Sequence, residues 1–286
     1  MGEKEDLNMR SILKFISFVI VISILIGSYS LFIEPNMLRV KEIEIINNQI
    51  VGQAIKVVQF SDTHVGDFFT IEELQTVVDK INAQNPDLVL FTGDLMDNAA
   101  QYDGSIEEVA TVLSKIKAQS GKYAVFGNRD YGGGAERFYE DLMESAGFEV
   151  LVNRSVNLNI KNTEVSLFGA DDALIGYYNA KETVQGIQDH ALNLLMLHEP
   201  DLMDDFKSYP IDLGVAGHSH GGQVYIPFYG PVRTTLLAEK YVCGSYDLGT
   251  ERGTRLYVNT GLGNTKVPFR LFNVPQITVL TIKKAD

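Results

Sequence analysis

The hydrophobic pattern begins with one long apolar run near the amino terminus. From Ile12 to Ile33, no charged residue follows Lys14. At about 1.5 Å per residue, a helix of this length is about 30 Å long, which matches the hydrocarbon thickness of a bilayer. A helix in the core of a water-soluble domain would show a polar face, and this run has none. The pattern therefore predicts a segment that directs the chain to a membrane.

Two interpretations of this run remain open. Ser28-Tyr29-Ser30 is a small-x-small sequence that suits cleavage of a signal peptide, but the apolar run continues through Ile33 and favours an uncleaved anchor. More cations precede the run than follow it, which favours a cytoplasmic amino terminus. We therefore predict a cytoplasmic tail (1–11), a single-pass anchor in the cell membrane (12–33), a connector with a first strand (34–49) and an extracytoplasmic domain (50–286).

Beyond the anchor, short apolar runs alternate with helical patterns. Thr70 and Glu73 have the spacing of a capping box, and apolar residues at helical spacing follow them. Helices are predicted at 70–84, 105–117 and 134–146. Strands are predicted at 39–45, 55–60, 87–91, 122–126, 192–197, 211–216, 223–226, 255–259 and 276–283. A hairpin is predicted with strands at 158–160 and 164–168. This order predicts one α/β domain.

Five short motifs follow predicted strands. They are Asp62-Thr63-His64, Gly93-Asp94, Gly127-Asn128-Arg129-Asp130, Leu197-His198-Glu199 and Gly217-His218-Ser219-His220. In open α/β sheets, ligands bind at the carboxyl ends of strands because the loops converge there. The motifs are therefore expected to share one edge of the fold.

The side chains of these motifs are typical ligands of divalent cations. Imidazole nitrogens and carboxylate or amide oxygens bind such ions. One Asp-x-His sequence arises easily by chance, and a lone buried histidine is usually structural. All five motifs in this order instead indicate two cations, and Asp94 is the natural residue to bridge them. A close pair of cations is suited to cleaving phosphate esters.

Composition limits the partners of this site. The formal net charge is −13, and an acidic surface repels the phosphate backbone of long nucleic acids. A single cysteine, Cys243, excludes a disulfide within one chain and a zinc-thiolate site. We expect no nucleic-acid partner, and the sequence does not determine the oligomeric state.

The motifs resemble those of the calcineurin-like metallophosphoesterase family. The resemblance covers about residues 55–283, and the Gly217–Gln223 segment with Val267–Arg270 is similar to an exported or membrane-anchored bacterial branch. It implies a two-sheet β-sandwich flanked by helices. It also implies two metal ions, commonly Mn, Fe or Zn, with a bridging hydroxide as nucleophile. The implied ligands are Asp62, His64 and His220 for the first metal, Asn128, His198 and His218 for the second, and Asp94 for both.

One residue departs from the family pattern. Arg129 stands where the family has a histidine that assists the leaving group. Arginine does not release its proton at working pH, but it can hold a phosphoryl oxygen. We expect Asn128, Arg129 and Asp130 to act in catalysis, although Arg129 paired only with Asp130 is an alternative. Arg270 is a second expected substrate contact, with a solvated surface charge as its alternative.

These observations predict a dinuclear metal hydrolase of phosphodiester or pyrophosphate bonds. The substrate is a small-molecule or lipid-linked phosphate ester, because a site near a membrane has access to both. A non-catalytic metal-binding scaffold or sensor is the alternative. A nuclease is disfavoured by the acidic charge and by the lack of a basic stripe.

Overall fold

The computed structural model describes residues 2–264 and 267–285. The apolar run lies in helix α1 (Gly2–Ser28), which continues through a π-helical turn (Tyr29–Ile33) and a 3₁₀ turn (Glu34–Asn36). The segment Met9–Asn36 is long and apolar enough to cross a membrane, and only 6% of its most apolar stretch is buried in the protein. Of the tail predicted at 1–11, Met1 lies outside the described residues. The predicted apolar helix is thus present and almost uncovered by protein.

The other helices in the described chain are α2 (Ile71–Ala83), α3 (Ile106–Ser114), α4 (Asn128–Gly132), α5 (Tyr139–Ser145) and α6 (Ala180–Thr183). The strands of the first half are β1 (Arg39–Ile46), β2 (Ile55–Phe60), β3 (Leu88–Phe91), β4 (Lys122–Ala124), β5 (Glu149–Val150), β6 (Arg154–Ile160) and β7 (Thr163–Gly169). Those of the second half are β8 (Leu192–Met196), β9 (Leu213–Ala216), β10 (Tyr225–Ile226), β11 (Gly230–Pro231), β12 (Gly244–Asp247), β13 (Arg255–Val258) and β14 (Gln276–Lys283).

Within the described ranges, these strands form two six-stranded mixed sheets and one small hairpin. The first sheet has the order β1-β14-β2-β3-β4-β5, and the second has the order β12-β13-β9-β8-β7-β6. Strands β2, β3 and β4 run parallel to one another, as do β7, β8 and β9. The carboxyl ends of the parallel strands therefore bring the polar motifs to one end of each sheet.

The two sheets pack face to face. Their shared core includes Val57 and Leu90 from the first sheet with Leu194 and Val215 from the second. Helices α2, α3 and α5 cover the outer face of the first sheet. A 3₁₀ segment (Pro200–Phe206) covers part of the other outer face. This arrangement confirms the predicted α/β fold, a two-sheet sandwich flanked by helices.

Two local predictions are confirmed, although the hairpin strands are longer than the predicted 158–160 and 164–168. The Thr70 side chain accepts from the backbone N–H of Glu73, and the Glu73 carboxylate accepts from Thr70 in return, which completes the capping box. The predicted hairpin joins β6 to β7 through Lys161 and Asn162. Both residues have positive φ, of 52° and 67°, as a tight two-residue turn requires.

One helix prediction is wrong at its start. The helix expected at 134–146 corresponds to α5, which begins only at Tyr139 and ends at Ser145. Gly134 has a φ of 86°, which does not fit an α-helix, so the predicted starting residue lies outside the helix. Helix α3 also ends at Ser114, three residues before the predicted end. The short helix α4 (Asn128–Gly132) was not predicted, and it places Asn128 and Arg129 in a first helical turn.

Candidate metal centre

Two buried clusters of three side chains lie where the motif loops meet. Triad A consists of Asp62, His64 and His220, and triad B consists of Asp94, His198 and His218. Within each triad the candidate ligand atoms lie within 4.8 Å of one another. All six residues are buried. The structure therefore brings together six of the seven predicted ligands as two compact groups.

Asp94 connects the two triads. Its Oδ2 atom lies 3.4 Å from His198 Nε2 in its own triad and 3.5 Å from His64 Nε2 in triad A. One carboxylate oxygen is thus similarly close to an imidazole nitrogen of each group. This position is the one required of a ligand shared between two cations.

The atoms of the triads are those that cations would bind. The Nε2 atoms of His64 and His220 lie 3.0 Å apart. Two imidazole rings at this distance can share only one proton between these two nitrogens. Asn128 Oδ1 is buried and, among the described residues, has no hydrogen-bond partner. Buried polar atoms normally have partners, so these convergent nitrogen and oxygen atoms fit a dinuclear centre. The mixed ligand set is compatible with Mn, Fe or Zn.

Backbone carbonyl groups orient both imidazoles of triad B. A carbonyl oxygen can only accept, so His198 Nδ1 must donate to Thr92 O at 2.7 Å. This leaves His198 Nε2 free to bind a cation. His218 Nε2 likewise donates to Leu236 O at 2.9 Å and leaves Nδ1 free. Such outer hydrogen bonds fix the tautomer and the ring orientation of a metal ligand.

Hydrogen bonds that involve backbone groups hold the loops of triad A in place. The Asp62 carboxylate accepts the N–H of His218 at 3.0 Å, and the Asn273 side-chain amide donates to the carbonyl of His220. The N–H of Asn273 in turn donates to the Glu34 carboxylate, which is only 1% exposed. Glu34 directly follows the apolar run. The segment at the end of the amino-terminal helix is therefore linked to triad A through a single intermediate residue.

The backbone of the triads is strained. Asp62, His64, Asp94, His218 and His220 all have positive φ, between 46° and 65°. Non-glycine residues rarely adopt this conformation, and its cost is accepted mainly at functional sites. Sharp loops of this kind allow two ligands separated by one residue to point into the same small volume.

Two glycines make room for the carboxylates. A Cβ atom on Gly127 would overlap Asp94 Oδ1, and one on Gly217 would overlap Ser61 Oγ and approach Asp62 Oδ2. Neither overlap can be relieved without moving a ligand. These two positions therefore require glycine because the neighbouring ligand comes so close.

The pKa values of ligand side chains in both triads are shifted from their ordinary values. Burial raises the pKa of Asp62 to about 7 and lowers the pKa of His64 to about 4. Burial also opposes the charge on Asp94, but His198 outweighs it and holds the pKa of Asp94 below its ordinary value. Desolvation penalises these ionised groups, and a pair of cations would offset that penalty.

A cavity of about 670 Å³ opens onto the triads. Asp94, Asn128 and His218 line its inner part, and Arg129 and Arg233 are the arginines among its described lining residues. The backbone N–H of Arg129 donates to Asp94 Oδ1 at 2.7 Å. This contact places the backbone of Arg129 beside the Asp94 carboxylate, and Arg129 also lines the cavity.

Asp130 has a different position from the one expected of a catalytic group. Its carboxylate is buried and accepts the N–H groups of Asp94, Leu95 and Gly127 at 2.8–2.9 Å. Among the described residues, no ion pair joins it to Arg129. Asp130 thus holds the Gly93-Asp94 loop to the start of α4, and Arg129 is left available to the cavity.

Arg270 also has a position that differs from the expectation. It is fully buried, and its guanidinium group donates to Asn264 and to the carbonyls of Thr260, Gly261, Gly263 and Asn273. These bonds use all its donors, so the substrate contact expected of Arg270 does not fit this geometry. The Gly263 N–H donates to the carbonyl of Asp62 at 2.7 Å. Arg270 therefore supports the loop that packs against triad A.

Several supporting groups were not identified from the sequence. The carbonyl groups of Thr92 and Leu236 carry no sequence signal, and neither does Asn273. Asp97, whose Oδ1 lies 3.6 Å from His64 Nδ1, was missed although it follows Asp94 by three residues. Glu34 had one available signal, because it is the first charge after the apolar run.

Several known proteins are similar to this chain. Residues 55–222 match the family model described as calcineurin-like phosphoesterase. The chain is 37% identical over 261 residues to "Uncharacterized metallophosphoesterase YkuE" of Bacillus subtilis, covering 90% of each protein. It is 25% identical over 231 residues to "Phosphodiesterase YaeI" of Escherichia coli, covering 79% of this chain and 82% of that protein. A solved dimetal phosphatase from Danio rerio gives a TM-score of 0.47 at 9% identity, covering 73% of this chain and 88% of the other.

The chain therefore belongs to the calcineurin-like phosphoesterase family. With its two buried His/Asp triads, it is a dinuclear metal-dependent hydrolase of phosphoric esters.

Proposed function

We propose that this hydrolase cleaves phosphodiester or pyrophosphate bonds. The bond to be cleaved would lie next to Asp94, the carboxylate between the two triads. The observation that carries the proposal is the position of Asp94 Oδ2 between His64 and His198, beside the N–H of Arg129. When bound, a pair of divalent cations supplies positive charge and activates a water nucleophile. Asp62, His64 and His220 would hold one cation, Asn128, His198 and His218 the other, and Asp94 both.

Arg129 supports the choice of substrate bond. Its guanidinium group keeps its proton, so it can bind phosphoryl oxygens and offset charge that develops on them. It cannot donate a proton to the leaving group as a histidine would. Hydrolysis is therefore easiest when the leaving group is already stable as an anion, as in a pyrophosphate, an aryl ester or an activated diester.

The remaining parts of the site contribute orientation. The carbonyl groups of Thr92 and Leu236 set the tautomers of His198 and His218, so that each ring presents its free nitrogen inwards. Asp130 keeps Asp94 in place through the N–H groups of the Gly93-Asp94 loop. These groups prepare the site before substrate arrives, which is the largest contribution a protein makes to such a reaction.

We further propose that the chain is retained in the cell membrane by helix α1, with its catalytic domain outside the cytoplasm. The length of the helix, its uncovered surface and the excess of cations before it support this arrangement. A buried Ser30, whose carbonyl accepts the N–H of Arg270, lies at the small-x-small sequence. Cleavage there would remove part of a docked segment, so we favour an uncleaved anchor.

The test compares substrates on the purified full chain loaded with Mn²⁺. We expect hydrolysis of bis(p-nitrophenyl) phosphate and of a nucleoside diphosphate sugar, and much slower hydrolysis of an alkyl phosphate monoester. A preference for alkyl monoesters would contradict the assigned bond. Absence of turnover on every ester, with both cations bound, would instead favour the non-catalytic scaffold. Degradation of DNA or RNA at comparable rates would favour a nuclease.

A further inference from the structure

Exposed apolar side chains lie on the segments that line the cavity. We call Phe228, Tyr229, Val232, Leu236, Val267 and Phe272 the apolar rim; each of them is between 55% and 110% exposed. Val232, Leu236 and Val267 also line the cavity itself. Water-soluble surfaces rarely expose so many large apolar side chains together, and such patches usually mark a binding surface.

The rim is joined to the end of the amino-terminal helix by backbone hydrogen bonds. Tyr225, at the base of the hairpin that carries Phe228 and Tyr229, donates to the carbonyl of Leu271 at 2.9 Å. The preceding residue on the same segment, Arg270, donates its N–H to the carbonyl of Ser30 at 3.0 Å. The segment that carries Phe272 thus connects the helix end to the hairpin that carries Phe228 and Tyr229.

The charges at the cavity suit an anionic headgroup. The chain as a whole is acidic, with a net charge of −13. Among the described residues that line the cavity, however, Asp94 is the only carboxylate, while Arg129 and Arg233 supply positive charge. A phosphate attached to an apolar chain would therefore meet cations inside the cavity and apolar side chains at its mouth.

We propose that the apolar rim rests in the interfacial layer of the bilayer that helix α1 enters, and that the site hydrolyses the phosphodiester of a membrane lipid. Helix α1 is almost uncovered by protein, so lipid is the partner that matches its surface. Backbone hydrogen bonds link the rim to Ser30 at the end of this helix, and a tyrosine such as Tyr229 is suited to the depth of the interface. The substrate part of this proposal depends on the function proposed above.

The position of the rim can be measured without any catalytic readout. The chain contains no tryptophan, so Phe228→Trp introduces a single fluorescent reporter. Val51→Trp is the matched control, since Val51 is 74% exposed and precedes β2, at the end of that strand away from the triads. In nanodiscs containing doxyl-labelled lipids, we expect blue-shifted, quenched emission at position 228 and water-like, unquenched emission at position 51. Unquenched emission at both positions would overturn the proposal.

The substrate class is tested with a chemically matched pair. Dioleoylglycerol p-nitrophenyl phosphate in nanodiscs and methyl p-nitrophenyl phosphate in solution share the same leaving group. We expect Phe228→Ser to lower the ratio of lipid to soluble turnover by about tenfold, since burial of one large apolar side chain contributes about that factor. Val51→Ser should leave the ratio at its parent value.

The possible failures are distinguishable. If the parent chain hydrolyses only the soluble ester, the proposed function stands and the lipid assignment fails. If it hydrolyses neither ester while position 228 is quenched by lipid, the proposed function fails and the membrane contact stands. A third outcome combines blue-shifted emission at position 228, no quenching by lipid, and a dimer in mass photometry. This outcome would assign the rim to contact with a second copy of the chain and would overturn the proposal.

Discussion

Triads A and B contain the same kinds of side chain, one carboxylate and two imidazoles, but the protein positions them differently. In triad B, backbone carbonyl groups orient both rings directly. In triad A, the Nδ1 atoms of His64 and His220 have no hydrogen-bond partner in the described chain. The loops of triad A are held instead by Asn273, Arg270 and Glu34, from both ends of the sequence.

This difference predicts that mutations of supporting residues will affect cation binding at the two triads unequally. The carbonyl groups that orient triad B belong to Thr92 and Leu236, which lie outside the terminal segments, so triad B should tolerate changes in those segments. Triad A depends on residues at the end of the amino-terminal helix and on the loop before β14. We therefore expect triad A to be the weaker and more easily perturbed cation site.

The largest effect is expected for Asp94→Ala, because this carboxylate serves both triads. We expect activity to fall by more than about 10³-fold, beyond the 10–100-fold cost of losing one supporting contact. Elemental analysis should show fewer cations per chain than in the parent. Parental activity in this variant would show that Asp94 is not shared and would remove the connection between the triads.

A smaller effect is expected for Arg129→Ala, which removes charge from the cavity but leaves both triads intact. We expect kcat/KM to fall by about 10²-fold, as for loss of one transition-state donor, with unchanged cation content. Arg129→Lys should recover only part of the loss, because lysine lacks the bidentate geometry. A loss larger than that of Asp94→Ala would contradict the order proposed here.

Glu34→Ala tests the difference between the triads most specifically. It removes the acceptor of the Asn273 N–H, so calorimetric titration with Mn²⁺ should show about tenfold weaker binding at one site and unchanged binding at the other. Glu42→Ala, on the exposed face of β1, is the control and should alter neither site. Equal weakening of both sites by Glu34→Ala would indicate a general loss of structure and not a selective link to triad A.

The smallest effect is expected for Asp97→Asn. The Asp97 carboxylate is 3.6 Å from His64 Nδ1, beyond a good hydrogen bond, and is partly exposed. We expect Mn²⁺ binding at triad A to weaken by no more than about fivefold, as for a partly screened pair. The control is Asp103→Asn at an exposed position on the following loop. A loss as large as that of Glu34→Ala would make Asp97 a principal support of the triad.

The sequence predicted the parts of the molecule that depend on local patterns. The capping box at Thr70, the hairpin turn at Lys161 and the full extent of β14 follow from neighbouring residues, and the structure confirms them. The histidine and aspartate ligands were also predicted, because few other side chains bind cations and their motifs follow strands. The sequence pattern therefore named the six side chains that the structure brings together as triads A and B.

The supports of the site were harder to predict because they depend on contacts between distant segments. Arg270 was expected to face the substrate, yet the fold buries it under the loop beside triad A. Glu34 and Asn273 are 239 residues apart, and nothing local indicates that they meet. Asp130 follows Arg129 directly, but the helical turn of α4 directs it to the Gly93-Asp94 loop and away from the cavity.

The most direct test of the central claim is electron paramagnetic resonance of the full chain loaded with two equivalents of Mn²⁺. If Asp94 joins the two triads into one centre, the spectrum should show two exchange-coupled ions per chain, and Asp94→Ala should abolish the coupled signal. Two bound ions that give only the six-line spectrum of isolated Mn²⁺ would show that the triads are separate sites, and would contradict the account.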